Sequence, residues 1–227
     1  MGFARAFLTL SLIYVIFTIA SSTAKTQTFK CTSSGRKCNA LIDYVSPNTT
    51  TLSTIKALFG IKHLRSLLGA NNLPLSTPSS QTVSAQQTIK IPFPCMCTNG
   101  TGISNHVPVY KVVAGDFLFH IATEVFSRLV TYQQIQAVNR IEDESLIEVD
   151  QELWIPLPCS CDEVDGESVV HYGHAVASGS TVDAIAQEYN ISAETLLRVN
   201  GLDSPSDLKA EVPFDVPLKV NMKLLLS

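Results

Sequence analysis

One order of features occurs three times along this 227-residue chain, and a chain that repeats itself must build similar units side by side rather than one large core. The first copy opens at Tyr44-Val45, passes through Thr51-Leu52-Ser53-Thr54-Ile55 to Phe59, continues over residues 64–72, and closes at Ile91-Pro92-Phe93-Pro94-Cys95. The second opens at Tyr110-Lys111-Val112, runs from Gly115-Asp116-Phe117-Leu118 to Phe126, continues over residues 131–139, and closes at Trp154-Ile155-Pro156-Leu157-Pro158-Cys159. The third opens at His174-Ala175-Val176, runs from Gly179-Ser180-Thr181-Val182 to Tyr189, continues over residues 192–201, and closes at Asp215-Val216-Pro217-Leu218. Openings and closing prolines recur at roughly 60 to 66 residues.

The periodicity switches in the same way within each copy. In the second, Leu118, Ile121, Ala122, Val125 and Phe126 form the i, i+3, i+4, i+7, i+8 stripe of a helix. A second short helix is expected to start at Thr131, a good N-cap, and to stop at Asn139, which tolerates a left-handed turn. In the third, Val182, Ile185, Ala186 and Tyr189 form the stripe, Ser192 caps the next helix and Asn200-Gly201 stops it. Short extended segments at residues 109–113 and 153–157 are suited to pair as two strands. The expected fold class is α+β: three strand-helix-helix-strand units, each pairing its own two strands.

Arg5, the apolar run over residues 6–20 and the small residues Ser22-Thr23-Ala24 read as a secretory signal over residues 1–24. No later stretch is apolar enough to span a bilayer, so no transmembrane segment is expected in the mature chain. Six cysteines follow: Cys31, Cys38, Cys95, Cys97, Cys159 and Cys161. An even number in an exported chain points to disulfides. Zinc is the competing use, with His171 and His174 as further ligands, but structural zinc sites space paired cysteines two to four residues apart, so no metal is expected. Each Cys-x-Cys is expected to turn its two sulfurs to opposite sides and so to reach two partners. The residues alone leave fifteen pairings open. Units of about 45 residues are marginal alone, so cross-links at the seams are physically expected.

Asn48-Thr49-Thr50, Asn99-Gly100-Thr101 and Asn190-Ile191-Ser192 are glycan acceptor triplets, making Asn48, Asn99 and Asn190 candidate glycosylation sites. Without Arg5 the basic residues number one fewer than the full chain's 16, against 20 acidic ones, which argues against nucleic acid as partner. Enzymatic function is not expected. Glycosidases set two carboxyl groups across a deep cleft, and no segment outside the three units is large enough to build one. The five histidines fall in separate units without a Ser/Asp setting for nucleophilic chemistry. No cofactor is implied.

The Gly-Asp/Ser-x-Leu/Val helix starts, the Asn closing each second helix, the Ile/Val-Pro-Leu endings and the links Cys95-Met96-Cys97 and Cys159-Ser160-Cys161 resemble the LysM family, specifically plant extracellular LysM proteins of the chitin-elicitor-binding type, which include GPI-anchored members. The resemblance covers most of the chain. It implies a divergent first LysM module with its cysteine segment at 25–97, a second at 107–158 and a third at 171–218, followed by a tail at 219–227. It implies the bridges Cys31–Cys97, Cys38–Cys161 and Cys95–Cys159. It also implies binding of chitin oligosaccharides in innate immune perception of fungi, with a ligand-bridged homodimer or a LysM receptor kinase as co-receptor.

In this family the sugar lies between the loop before the first helix and the loop after the second. On the middle repeat those loops are Ala114, Gly115, Asp116 and Phe117, and Arg140, Ile141, Glu142 and Asp143. Backbone N–H and C=O groups would pair the amide and hydroxyls of a neutral N-acetyl sugar, Gly115 would admit close approach, and Ile141 would cover the methyl. For Phe117 and Ile141 the alternative is packing on the unit's own core. Asp116, Glu142, Asp143 and Glu144 are expected to serve as helix-end charge and solvated surface. A glycan on Asn48 would obstruct the first groove, which ranks the middle repeat first. Competing readings are peptidoglycan or lipochitooligosaccharide as ligand, a soluble non-signalling decoy, or a structural wall glycoprotein. The tail is too short for a glycolipid-anchor signal, so the chain as written is expected in the extracellular space, or at the outer face of the plasma membrane in a longer anchored form.

Overall fold

The computed structural model describes residues 29–219; the expected leader and the tail beyond Lys219 lie outside the described residues. The first unit consists of a leading strand β1 (Lys30–Cys31), β2 (Lys37–Val45), β3 (Thr50–Thr51), α1 (Leu52–Leu58), α2 (Leu64–Ala70), β4 (Thr82–Val83) and β5 (Thr88–Thr98). A connecting strand, β6 (Gly100–Ser104), leads to the second: β7 (Val109–Lys111), α3 (Leu118–His120), α4 (Tyr132–Asn139) and β8 (Glu152–Trp154). After β9 (Pro158–Cys159) the third comprises β10 (Val169–Ala175), α5 (Val182–Tyr189), α6 (Ala193–Asn200) and β11 (Pro213–Lys219). Strand, helix, helix, strand is thus the order in all three segments.

Four of the six short α-helices among the described residues start where a hydroxyl satisfies an orphan N–H. Thr51, Thr131, Thr181 and Ser192 each accept from the backbone three residues on, and Gln134 completes a capping box with Thr131. The stripe expected over 118–126 does face inward, with Leu118, Ile121, Ala122 and Phe126 buried. It is not one α-helix, however. After a single turn the backbone widens into a π-turn at Ile121–Val125, with the Phe126 N–H bonded to Ile121 O at 3.0 Å.

Strand pairing departs from three separate two-stranded sheets. β7 and β8 of the second unit pair by themselves, as do the short β3 and β4 of the first. In the first unit β2 pairs antiparallel with β5, in the third β10 with β11, and these two sheets fuse because β10 lies parallel to β2 through Tyr172↔Leu41 and Gly173↔Ile42. Gly173 permits the approach: a Cβ there would come within 2.9 Å of the Ile42 side chain. On the far side β6 joins β5, and β9 joins β6, where a Cβ on Gly102 would fall 2.0 Å from Cys159 O. Two cores result. The first and second units share one, crossed by the edge-to-face series Tyr44, Phe59, Phe126 and Tyr110, while the third packs its own around Tyr172, Val182, Leu196 and Phe214.

The structure bonds Cys31 with Cys97, Cys38 with Cys161 and Cys95 with Cys159, leaving no free thiol among the described residues. Two groups of three sulfurs, sharing Cys161, lie close enough to surround an ion, but all five are already in disulfides. The idea that a Cys-x-Cys pair faces opposite ways is corrected. Residues i and i+2 of a strand share a face, and Cys95 and Cys97 are both buried on one side of β5. They reach different partners because β6 folds back beside them, bringing β9 to one and β1 to the other.

The asparagine that ends each second helix is also reassigned. Asn139 stays helical and the left-handed residue is Arg140, at φ 55°. Asn139 Nδ2 donates to Ile135 O and Trp154 O, each at 2.8 Å, and its Oδ1 accepts from the Trp154 N–H at 2.9 Å. Asn200 bonds identically to Leu196 O and to both backbone groups of Asp215, and Asn71 to Leu67 O and both backbone groups of Lys90. In each unit this one amide clamps the second helix to the closing strand.

His171, 3% exposed, ties the seam to β11: Nδ1 lies 2.8 Å from an Asp215 carboxylate oxygen and Nε2 is 2.9 Å from Asp162 O. Burial opposes charge on the ring, but two acceptors face its two nitrogens and the net effect raises its pKa above the ordinary histidine value. Complete burial likewise raises Asp215. Both shifts mean that the folded state holds protons the unfolded chain has lost.

Three outcomes follow from these contacts. The bridges close loops of 66, 123 and 64 residues, each equivalent to about 4–5 kcal/mol of unfolded-state entropy, so reduction is expected to unfold the units; a near-ultraviolet circular dichroism signal fully kept after reduction contradicts this. Asn200→Ala strands two buried backbone groups and should lower urea-unfolding stability by about 2–4 kcal/mol. The stabilisation from His171 is fully present below the unfolded histidine pKa and lost as pH rises through the raised folded value. Melting temperature should therefore fall as pH rises above the ordinary histidine pKa of about 6.5, with a weaker slope in His171→Gln.

Candidate functional site

In the second unit the loop between β7 and α3 turns at Gly115, whose φ of 91° is open to glycine, and a Cβ there would meet nothing within 4 Å. Ala114 and Gly115 are exposed. Phe117 is the N-cap of α3 and 54% exposed, its ring 5.7 Å from that of His120, so it does not pack in the core. Phe119, 56% exposed, and Val113, 55% exposed, add apolar surface to the same region. Phe119 also stands 6.3 Å from the Tyr132 ring at the start of α4.

Asp116 departs from the expectation of solvated charge. Its side chain is 1% exposed, accepts from Tyr110 Oη and the Val113 N–H at 2.8 Å each, and sits 2.9 Å from His120 Nδ1. It locks the loop shape rather than offering a free carboxylate. Burial and then the Asp116 charge push the Tyr110 phenol upward, so that hydroxyl remains a donor.

The loop after α4 begins at exposed Arg140, in the left-handed conformation that ends the helix. Ile141 is half-buried against the core, with its N–H on Gln136 O. Glu142 is exposed, its carbonyl accepting weakly from Gln136 Nε2 at 3.5 Å. Asp143 is exposed, and its Oδ1 accepts from the Ser145 hydroxyl at 2.7 Å and N–H at 2.9 Å, bonds that lower its pKa. The four residues of each loop are therefore fixed locally. Among the described residues no hydrogen bond or ion pair joins one loop to the other.

Two clefts, of about 720 and 520 Å³, contain none of these eight residues. The acceptor asparagines Asn48, Asn99 and Asn190 are all exposed. Phe119 and Val113 were not singled out from the sequence; the available signal was that Phe119 falls off the buried stripe. Among the described residues no helix is long and apolar enough to cross a membrane.

A model of the LysM domain matches residues 110–156 and 174–211. LysM domain-containing GPI-anchored protein 2 of Arabidopsis thaliana is 46% identical over 208 residues, covering 92% of this chain and 59% of that protein. The Chitin elicitor-binding protein of Oryza sativa subsp. japonica is 45% identical over 198 residues, covering 87% of this chain and 56% of that protein. The chain thus spans little more than half the length of these relatives. In fold it is similar to the crystallised ectodomain of a receptor like kinase, with a TM-score of 0.65 at 19% identity over 82% of this chain and 93% of that one. The LYK3 ectodomain gives 0.65 at 20% identity over 83% and 92%. The repeats, the seam cysteines and these matches lead to one assignment: the chain belongs to the plant LysM protein family that includes the Arabidopsis and rice relatives.

Proposed function

We propose that this chain is an extracellular carbohydrate-binding protein of three LysM copies that recognises chitin oligosaccharides chiefly through the middle one. The carrying observation is the likeness to a rice protein named for chitin elicitor binding, joined to an open middle-unit surface where exposed Phe117, Phe119 and Val113 stand beside the glycine turn at Gly115. The role is binding rather than catalysis, because the best-placed carboxylate, Asp116, is consumed by its own loop.

Asn71 supports reading the first unit as a divergent third copy. It makes the same three bonds as Asn139 and Asn200 although the spacing to the closing strand is four residues longer, 19 against 15. Glycans at Asn48, Asn99 and Asn190 suit their exposure, and one at Asn48 would crowd the first unit's loop. The protein acts outside the cell or at the outer face of the plasma membrane, in keeping with its GPI-anchored relatives. A shallow site of this kind binds in about the micromolar range and gains strength when one polymer bridges two copies. A second protein, such as a LysM receptor kinase with an ectodomain of the same fold, is the complementary partner.

Calorimetry with a chitin octamer and with cellooctaose tests the reading. Heat with the chitin octamer alone is expected, and Phe117→Ala should weaken it roughly tenfold, equivalent to about 1.4 kcal/mol. Absence of heat with both sugars refutes it, and binding to a peptidoglycan fragment in place of chitin transfers the ligand assignment.

A further inference from the structure

A cleft of about 520 Å³ opens where β2 and β10 join, and its walls come from two units at once. The first unit supplies Asn72, in the loop after α2, with Thr88 and Lys90 of β5; the third supplies Ser180, in the loop before α5, with His174 and Tyr189. These are the two kinds of loop that flank a sugar in the family resemblance, but here each unit contributes only one of its pair. Asp43, 3% exposed, stands in the same wall. Its Oδ2 accepts from the Ala175 N–H at 3.1 Å and lies 3.2 Å from His174 Nδ1. By geometry its Oδ1 has no hydrogen-bond partner, the one such buried side-chain oxygen or nitrogen among the described residues, while the Tyr172 hydroxyl of the same wall interacts with the carboxylate.

A carboxylate oxygen removed from water without gaining a donor is destabilising, and a ligand hydroxyl or amide N–H supplies the missing donor. The rest of the wall selects the class. Asp43 and Glu188 oppose an anion, and Lys90, whose Nζ lies 5.2 Å from the Tyr172 ring centroid, opposes a cation. Ammonium and hydroxyl donors alternate with acceptors, which suits a neutral polyhydroxylated molecule. The volume lies within the range of small-ligand sites, about 300–1,000 Å³, and accommodates about one or two sugar rings. We infer that the cleft is a second saccharide site, composite between the first and third units, in which a sugar hydroxyl donates to Asp43 Oδ1. For the class of ligand this rests on the carbohydrate reading above; the location is independent of the middle unit.

Hydrogen exchange on the whole chain, read peptide by peptide with and without an N-acetylglucosamine tetramer, separates the two sites. Exchange in segments 86–92 and 172–182 is expected to slow roughly tenfold when ligand stands at ten times its Kd. Asp43→Asn, which turns the unpartnered acceptor into an amide, should reduce that protection. Thr88→Trp fills the cleft from an exposed strand position without touching the core, and abolishes the protection even if Asp43→Asn fails to fold. Protection confined to segments 114–117 and 140–143 overturns the seam site and leaves the middle-unit reading standing. Seam protection that survives Thr88→Trp also overturns it. Protection at the seam alone supports it against the middle unit, and protection nowhere overturns both.

Discussion

Everything in this molecule depends on how units too small to stand alone are held against each other. About 45 residues bury little apolar surface, so each unit needs its neighbours. Three devices converge on one seam. The bridges Cys38–Cys161 and Cys95–Cys159 connect strands of the first unit to the segment following the second, the parallel contact of β10 with β2 fuses the first and third sheets, and His171 hydrogen-bonds that linking segment to β11. The cysteines protect a geometry that also needs Gly102 and Gly173, because a side chain at either position would push the strands apart. Covalent and steric constraints therefore act at the same place.

Within each unit the comparable constraint is a single asparagine. A short helix has few internal hydrogen bonds, and an amide that satisfies both backbone groups of one strand residue fixes helix and strand together without a large core. The three clamps have nearly the same lengths, although the first unit differs enough in sequence that the LysM domain model matches only the other two.

The same economy shapes the proposed recognition surface. Loop residues that look available from their chemistry are largely committed: Asp116 to Tyr110, Val113 and His120, Asp143 to Ser145, and Ile141 to the core. What remains is a rigid backbone turn bordered by exposed Phe117, Phe119 and Val113, a surface suited to the proposed recognition by shape and backbone polarity rather than by charge. Preformed loops of this kind lose little conformational entropy on binding a neutral sugar.

Local order was legible in the residues themselves. Helix starts at Thr131, Thr181 and Ser192, the apolar stripes and the repeat of one unit follow from capping chemistry and periodicity, which act over a few positions and so are visible along a chain. The fusion of two sheets through Gly173 and Ile42 and the true work of the closing asparagines were not, since they depend on partners 15 to 131 residues away; the π-turn after His120 was not, because it leaves the apolar stripe that reads as one helix intact. The cysteine count announced bridges, but strand topology decides which sulfurs meet. Likewise the identity of Asp116 and Asp43 marks them as carboxylates; only the fold, by burying one among donors and leaving an oxygen of the other without one, gives them different roles.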